Sequence, residues 1–211
     1  MVYQVKEIFF TLQGEGAQTG RAAVFLRFAG CNLWTGLERD RTHAVCQFCD
    51  TDFVGTDGVG GGKFATAAEL ASAVGRAWPG AAGGKPLVVC TGGEPALQLD
   101  DALIAALRAA GFEIAIESNG TLELPRGLNW ICVSPKAGTT LAQHQGDELK
   151  LVYPQAGVDP ARFEGLSFRH FFLQPMDGPE REKNTALATR YCLEHPRWRL
   201  SLQTHKLIGI P

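Results

Sequence analysis

Apolar positions along the chain fall into two rhythms, and their alternation is the first clue to the fold. Val2 to Phe10 and Ala22 to Phe28 read as strands, and Pro86 to Cys90 (PLVVC) is a short, wholly apolar run, the mark of a strand covered on both faces. A helical rhythm opens at Thr66-Ala67-Ala68-Glu69, a capping box, and runs through AAELASAVGRAW until Pro79-Gly80 stops it. A second helix carries Leu99, Leu103 and Leu107 on one stripe and closes at Gly111. Strand signals recur at Phe112 to Glu117, Asn129 to Val133, Glu148 to Val152 and Ser167 to Leu173. A last amphipathic helix spans Pro179 to Glu194, before the tail SLQTHKLIGIP.

Strands that alternate with helices or crossover segments predict a parallel sheet. Polar residues collect just after the strands: Thr91 to Glu94, Glu117-Ser118-Asn119, Ser134-Pro135-Lys136 and Gln174-Pro175-Met176-Asp177. Parallel α/β folds build their sites at those C-terminal strand ends. With about six core parallel strands, and fewer helices than an eightfold barrel needs, the expected architecture is an α/β incomplete (partial) β/α barrel. It is expected to be open on one side and to span residues 1–211 as a single domain.

Composition narrows the function. The 211 residues are 45% hydrophobic and 20% charged, which suits one well-filled core. A net charge of −2 provides no broad footprint for phosphate backbones, so no nucleic-acid partner is expected. No apolar run reaches membrane-spanning length, and Met1 is not followed by a basic stretch leading into an apolar segment, so neither a membrane partner nor a signal peptide is expected. The cytoplasm is then the default location. There thiols stay reduced, and the six cysteines read as metal ligands or buried side chains rather than three disulfides.

The chemistry centres on the long loop at about 29–63, which carries Cys31, Cys46 and Cys49 in the order C-x14-C-x2-C. Its later part, GTDGVGGG at Gly55 to Gly62, is expected to be mobile. Thiolates bind soft metals, so zinc and iron-sulfur are the two readings. Zinc needs a fourth ligand, with His43 or Asp50 available. Three thiolates on a four-iron cluster leave one iron open for reaction. Cys90, Cys132 and Cys192 lie on apolar segments and read as small buried hydrophobes. Arg27, inside an apolar strand, requires a partner. Gln13-Gly14-Glu15-Gly16 is a turn whose glycines admit close backbone approach. No G-x-S-x-G elbow appears, which disfavours an ordinary α/β hydrolase.

The cysteine spacing, with Phe48 before the last cysteine and GGEP at Gly92 to Pro95, resembles the radical S-adenosylmethionine (SAM) superfamily. Within it the chain resembles the 7-carboxy-7-deazaguanine synthases of queuosine (7-deazapurine) biosynthesis. The matching stretches are TLQGEG at Thr11 to Gly16, RFAGCNLW at Arg27 to Trp34, FCDT at Phe48 to Thr51, TGGEP at Thr91 to Pro95, ESNG at Glu117 to Gly120, SPK at Ser134 to Lys136, QP at Gln174-Pro175 and QTHK at Gln203 to Lys206. The x14 insertion departs from the superfamily's usual C-x3-C-x2-C and leaves the conformation of residues 32–45 open.

The resemblance implies a 4Fe-4S cluster on Cys31, Cys46 and Cys49, and SAM held by Phe48, Asp50, Gly92, Gly93, Glu94, Ser118, Ser134, Pro135, Lys136, Gln174, Pro175, Met176 and Asp177. Gly92 and Gly93 would let the backbone reach the SAM amino group, with Glu94 accepting from it. It implies Mg2+ on Thr51. It also implies a pterin substrate, 6-carboxy-5,6,7,8-tetrahydropterin, bound by Leu12, Gln13, Gly14, Glu15, Arg27, Thr91, His205 and the terminal Pro211. An electron donor such as flavodoxin or ferredoxin, and a homodimer, follow from the same resemblance. His43, His144, His170 and His195 read as ordinary surface or packing histidines. The rival classes are a glycyl-radical activase, which has no use for QGEG, and a zinc-binding interaction module.

Overall fold

A computed structural model describes residues 2–80 and 84–211. Nine strands form one sheet: β1 (Tyr3–Leu12), β2 (Ala22–Phe28), β3 (Gly62–Phe64), β4 (Leu87–Gly92), β5 (Glu113–Ser118), β6 (Trp130–Val133), β7 (Gln145–Tyr153), β8 (Ser167–Pro175) and β9 (Trp198–Leu200). Their order is β3-β1-β2-β4-β5-β6-β7-β8-β9, so the sheet runs from one edge to the other without closing. From β2 through β4 to β9 every neighbour is parallel, while β1 and β3 are antiparallel additions at one edge. The mainly parallel, open α/β sheet is the incomplete barrel that the sequence predicts. The terminal strands β3 and β9 are three residues each, too short to leave a pattern.

The period of two explains the layers. Val24, Leu26 and Phe28 of β2, Val88 and Cys90 of β4, and Ile114 and Ile116 of β5 bury one face against α1 (Ala67–Ala77) and α2 (Asp101–Ala109). Thr66 caps α1 by accepting from the Glu69 N–H at 3.2 Å while Glu69 returns to the Thr66 N–H, so the predicted capping box is present. Leu70 and Val74 of α1 are fully buried, each contributing about 2 kcal/mol by burial. Leu70→Ala is the single change that would cost α1 most, about 2–5 kcal/mol. Further along the sheet, Leu149, Leu151, Phe171 and Leu173 pack with Ala188 of α3 (Arg181–Glu194). On the other face Ala23, Val89 and Ala115 form a thin apolar floor, and polar residues follow them towards the C-terminal strand ends.

Residues between β2 and α1 differ from the expected mobile loop. The Gly58 N–H donates to Lys6 O at 2.9 Å and the Ile8 N–H to Val59 O at 2.7 Å, so GTDGVGGG lies on the outer edge of β1 just before β3. Lys6 fastens the same stretch through Val54 O, Asp52 and Asp57 at 2.8–2.9 Å. The reason is tertiary: β1 would otherwise present unpaired backbone, and the glycine-rich segment covers it. The chain ends in α4 (Thr204–Ile208), which returns across the QGEG turn: the Thr204 N–H donates to Gly14 O at 3.0 Å, and the Thr11 hydroxyl to Pro211 O at 2.9 Å. Among the described residues, no helix is long and apolar enough to cross a membrane.

Candidate active site

Polar side chains share one sheet face because they keep step with its period. In β5 Glu117 follows Ala115; in β7 Glu148, Lys150 and Val152 alternate with Leu149 and Leu151; in β8 Gln174 follows Phe172. Together with Arg27 of β2 and Thr91 of β4, which pair in register, Glu117, Lys150, Val152 and Gln174 line a cavity of about 360 Å³ at the C-terminal strand ends. That volume falls within the range of small-molecule sites. The QGEG turn, the cysteine loop and the C-terminal tail form its remaining walls.

The buried cation is Lys150, whose side chain is only 4% exposed and pairs with Glu15 at 2.7 Å and Glu117 at 2.9 Å. Gln13 donates to the other Glu117 oxygen at 3.1 Å, and Gln203 to Glu15 at 3.0 Å. Burial pushes the Glu15 pKa up, but Lys150 and Gln203 outweigh it and hold the carboxyl down to about 2. Burial likewise lowers the Lys150 pKa, and Cys132, Glu117, Glu15 and Glu148 reverse it, raising that pKa well above the ordinary lysine value. Glu148, 1% exposed, is raised by burial; it accepts from the Ala17 N–H at 2.8 Å and so ties the QGEG turn to β7. Cys132 sits against both Glu117 and Glu148, with the three ligand atoms within 4.8 Å of one another. Its expected apolar setting is therefore corrected: it is fully buried, but inside a charged network whose counter-ion is Lys150.

Cys31, Cys46 and Cys49 are free thiols and all line the cavity. Among the described residues, their sulfurs do not form a group within 4.8 Å, so they do not converge as the donors of a single zinc ion do. His43, available to the zinc reading, does not line the cavity, and Asp50 is taken by Lys206 at 2.5 Å. Three thiols lining one cavity could hold a polynuclear cluster, one of whose metal sites would then lack a protein donor. Burial raises the pKa of Cys31 and of Cys46, and for Cys46 the neighbouring Lys136 pulls part of the shift back.

The residues expected around SAM fall into two groups. Phe48, Asp50, Gly92, Gly93, Ser118, Ser134, Lys136, Gln174, Pro175, Met176 and Asp177 line the cavity; Glu94 and Pro135 do not. Glu94 is fully buried and accepts from the Asn119 N–H at 2.7 Å, the Ser118 hydroxyl at 2.9 Å and the Ala96 N–H at 3.0 Å. These three bonds brace the turn. Pro135 is buried, with its carbonyl accepting from Gln155 at 3.2 Å. The glycines also have a use the sequence did not reveal. A Cβ at Gly92 would overlap the Phe28 carbonyl and one at Gly93 the Gly30 carbonyl, so the pair lets β4 cross the end of β2 beside Cys31. Lys206 joins Asp50 to Asp177, at 2.5 and 2.7 Å, across the cavity mouth.

On the opposite wall, Leu12, Gln13, Gly14, Glu15, Arg27, Thr91, His205 and Pro211 all line the cavity, as does Thr51 on the cysteine side. Arg27 is held by its cross-strand neighbour Glu7 through Nε at 2.7 Å, so its structural ion pair is real. Burial lowers the His205 pKa and favours the neutral ring. Sequence reasoning missed Lys150 as a cavity residue and placed Glu117 at a site-forming strand end without giving it a role. The signal for Lys150 was the alternation Glu-Leu-Lys-Leu in ELKLV, which puts Glu148 and Lys150 on one face of an otherwise apolar strand.

An open parallel sheet gathers its polar groups on one rim, and a rim bearing three uncommitted thiols beside a glycine crossing is suited to a cluster and an adenosyl cofactor. The class defined by this fold and site is the radical SAM enzymes. Over all 211 residues the chain is 65% identical to the 7-carboxy-7-deazaguanine synthase of Caulobacter vibrioides and 64% identical to that of Bordetella pertussis, covering 100% of each. The chain belongs to the 7-carboxy-7-deazaguanine synthase family. A more distant relative of the same name, from Neisseria meningitidis, is 32% identical over 99% of this chain and 94% of its own. Among solved structures, QueE from Escherichia coli is similar with a TM-score of 0.68 and 27% identity, covering 96% of this chain and 94% of that one. No family model matches the chain.

Proposed function

We propose that this enzyme converts 6-carboxy-5,6,7,8-tetrahydropterin to 7-carboxy-7-deazaguanine by radical ring contraction with loss of ammonia. The observation that carries the reading is the QGEG turn: it places Gln13 and Glu15 on the same cavity as the three cysteines, with Lys150 paired to both Glu15 and Glu117 and holding Glu15 ionised. Ionised carboxylates only accept hydrogen bonds. Glu15 therefore suits the N–H-rich edge of an aminopyrimidinone ring, while the Gln13 amide offers both a donor and an acceptor.

Cys31, Cys46 and Cys49 would hold the 4Fe-4S cluster, and Ser118, Ser134, Lys136, Gln174 and the Pro175-Met176-Asp177 turn would hold SAM. When bound, these groups supply the 5′-deoxyadenosyl radical that starts the reaction. The chain orients the pterin and excludes water. Arg27, whose Nε is engaged by Glu7, has its two Nη groups to offer a substrate carboxylate. Thr51 would give Mg2+ one hydroxyl ligand, sufficient for an ion that keeps several waters. Asp50 and Asp52, its neighbours, are occupied by Lys206 and Lys6. Neutral His205 packs on Gly14 and closes the pterin side.

Residues 1–211 form one catalytic domain in this reading, acting in a reducing, cytoplasmic setting that fits six free cysteines. Family resemblance supports a homodimer and an external one-electron donor such as flavodoxin or ferredoxin. The test is anaerobic turnover of the reconstituted protein with SAM, reductant and the carboxytetrahydropterin. The expected result is 7-carboxy-7-deazaguanine with release of ammonia. Reductive cleavage of SAM without any deazaguanine would refute the substrate assignment.

A further inference from the structure

The insertion between Cys31 and Cys46 has no role in the function so far, yet it is tightly organised. After Trp34, residues Glu38 to His43 form a short helical turn, and Arg41 stands at its centre. The guanidinium lies 4.0 Å from the centroid of Trp34, whose ring is 7% exposed and packs edge-on against Phe53. Nε and Nη2 form a fork on Glu38 at 2.7 and 2.5 Å. Nη1 donates to two carbonyls, Gln47 O at 2.9 Å and Cys49 O at 3.0 Å.

Those two carbonyls flank Phe48 within the C-x2-C turn, and among the described residues no other donor reaches either of them. One nitrogen therefore ties together the two carbonyls on either side of Phe48, in the turn that carries Cys46 and Cys49. The insertion is fastened to the same turn at its other end: the Cys46 N–H donates to Leu33 O at 3.3 Å, and the Leu33 N–H to Cys31 Sγ at 3.4 Å. A planar fork that satisfies a carboxylate on one side and two carbonyls on the other is specific to arginine; a lysine ammonium has no such fixed geometry.

We propose that Arg41 is a positioning residue for the cluster, and that the insertion exists to hold its guanidinium against the Cys46–Cys49 turn. This rests on the reading of Cys31, Cys46 and Cys49 as cluster ligands. Arg41 does not line the cavity; it acts through the backbone that carries two of the three thiolates. Glu38 orients it from one side and Trp34 from the other.

The experiment reconstitutes the full-length protein, Arg41→Gln, Arg41→Lys and Glu38→Gln with iron and sulfide under anaerobic conditions. It then measures iron per chain, the rate of iron loss to a ferrous chelator, and the electron paramagnetic resonance spectrum of the reduced protein. Losing two charge-assisted bonds to the ligand turn should speed iron loss in Arg41→Gln by about tenfold or more and broaden the spectrum. Arg41→Lys should fall between that variant and the unmodified protein, and Glu38→Gln should move the same way but less. The cluster-free proteins should melt together, because a partly exposed ion pair adds little to global stability. Arg41→Gln with unaltered iron loss and an unaltered spectrum would overturn the proposal. So would loss of iron only in proportion to a lowered melting temperature of the cluster-free chain. An unmodified protein that takes up no iron would instead defeat the underlying reading of the three cysteines.

Discussion

Replacing Lys150 by methionine removes the cation from the buried network while keeping most of the side-chain volume. Lys150 is the partner of Glu15 and Glu117, and Glu148 is close by with its pKa already raised by burial. Holding Glu15 near 2, roughly two units below the usual glutamate value, corresponds to about 3 kcal/mol at neutral pH. Breaking a buried pair by deleting one partner costs about 3–5 kcal/mol, so the two routes meet near 3. For a chain of this size the melting temperature should fall by about 6–12 °C at pH 7.5. The sign of the pH dependence follows from Glu15. Its folded pKa is depressed, so its contribution is present above the unfolded pKa and is lost as pH falls through the folded value near 2. In Lys150→Met, burial is opposed only by Gln203 and His205, and Glu15 takes up its proton at higher pH. The gap between the two proteins should therefore be widest near neutrality and narrow towards pH 4. Lys150, its own pKa raised, loses its proton only in strong alkali and leaves that window unaffected. Scanning fluorimetry from pH 4 to 8 reads this directly. A gap below about 2 °C, or one that does not change with pH, would refute the idea that Lys150 neutralises these carboxylates.

Three further outcomes separate the parts of the site. In Gly14→Ala the new methyl group would overlap His205 Nδ1, so the ring or the turn must move, and the KM for the pterin should rise by roughly tenfold or more in steady-state assays while iron content stays unchanged. Glu94→Gln turns an amide N–H2 towards the Ser118, Asn119 and Ala96 donors, leaving at least one unsatisfied; urea unfolding should show a loss of about 1–3 kcal/mol. Cys31→Ala, Cys46→Ala and Cys49→Ala should each abolish turnover and cluster loading by iron analysis, whereas Cys192→Ala, packed beside the α3 core, should retain most of both.

The sequence makes the main architecture legible because each strand and helix carries its own rhythm and stop signals: the Thr66–Glu69 capping box and the apolar PLVVC run need no tertiary information. The candidate site is legible to the extent that its residues stand in local motifs, as the cysteines and QGEG do. The pairing of Lys150 with Glu117 escapes notice because what makes it is the order β5-β6-β7 in the sheet. A strand read alone shows only that a charge sits among apolar neighbours. Glu94, Gly92 and Gly93 show what a local motif leaves unsaid. Their motif points to a ligand; it does not disclose that Glu94 accepts from Ser118 and Asn119, or that the glycines, which line the cavity, also accommodate the backbone of Phe28 and Gly30. Local spacing cannot disclose which distant main chain passes within contact. The Gly55–Gly62 stretch follows the same rule: glycine content signals freedom, and the edge of β1 removes it.

The central claim is that three cysteines hold a cluster and leave one of its irons for the cofactor to bind. Electron paramagnetic resonance of the reduced, reconstituted protein, recorded before and after adding SAM, tests that most directly. The prediction is about four irons per chain and a 4Fe-4S signal that shifts on addition of SAM. A protein that retains only zinc, or a cluster signal indifferent to SAM, would contradict it.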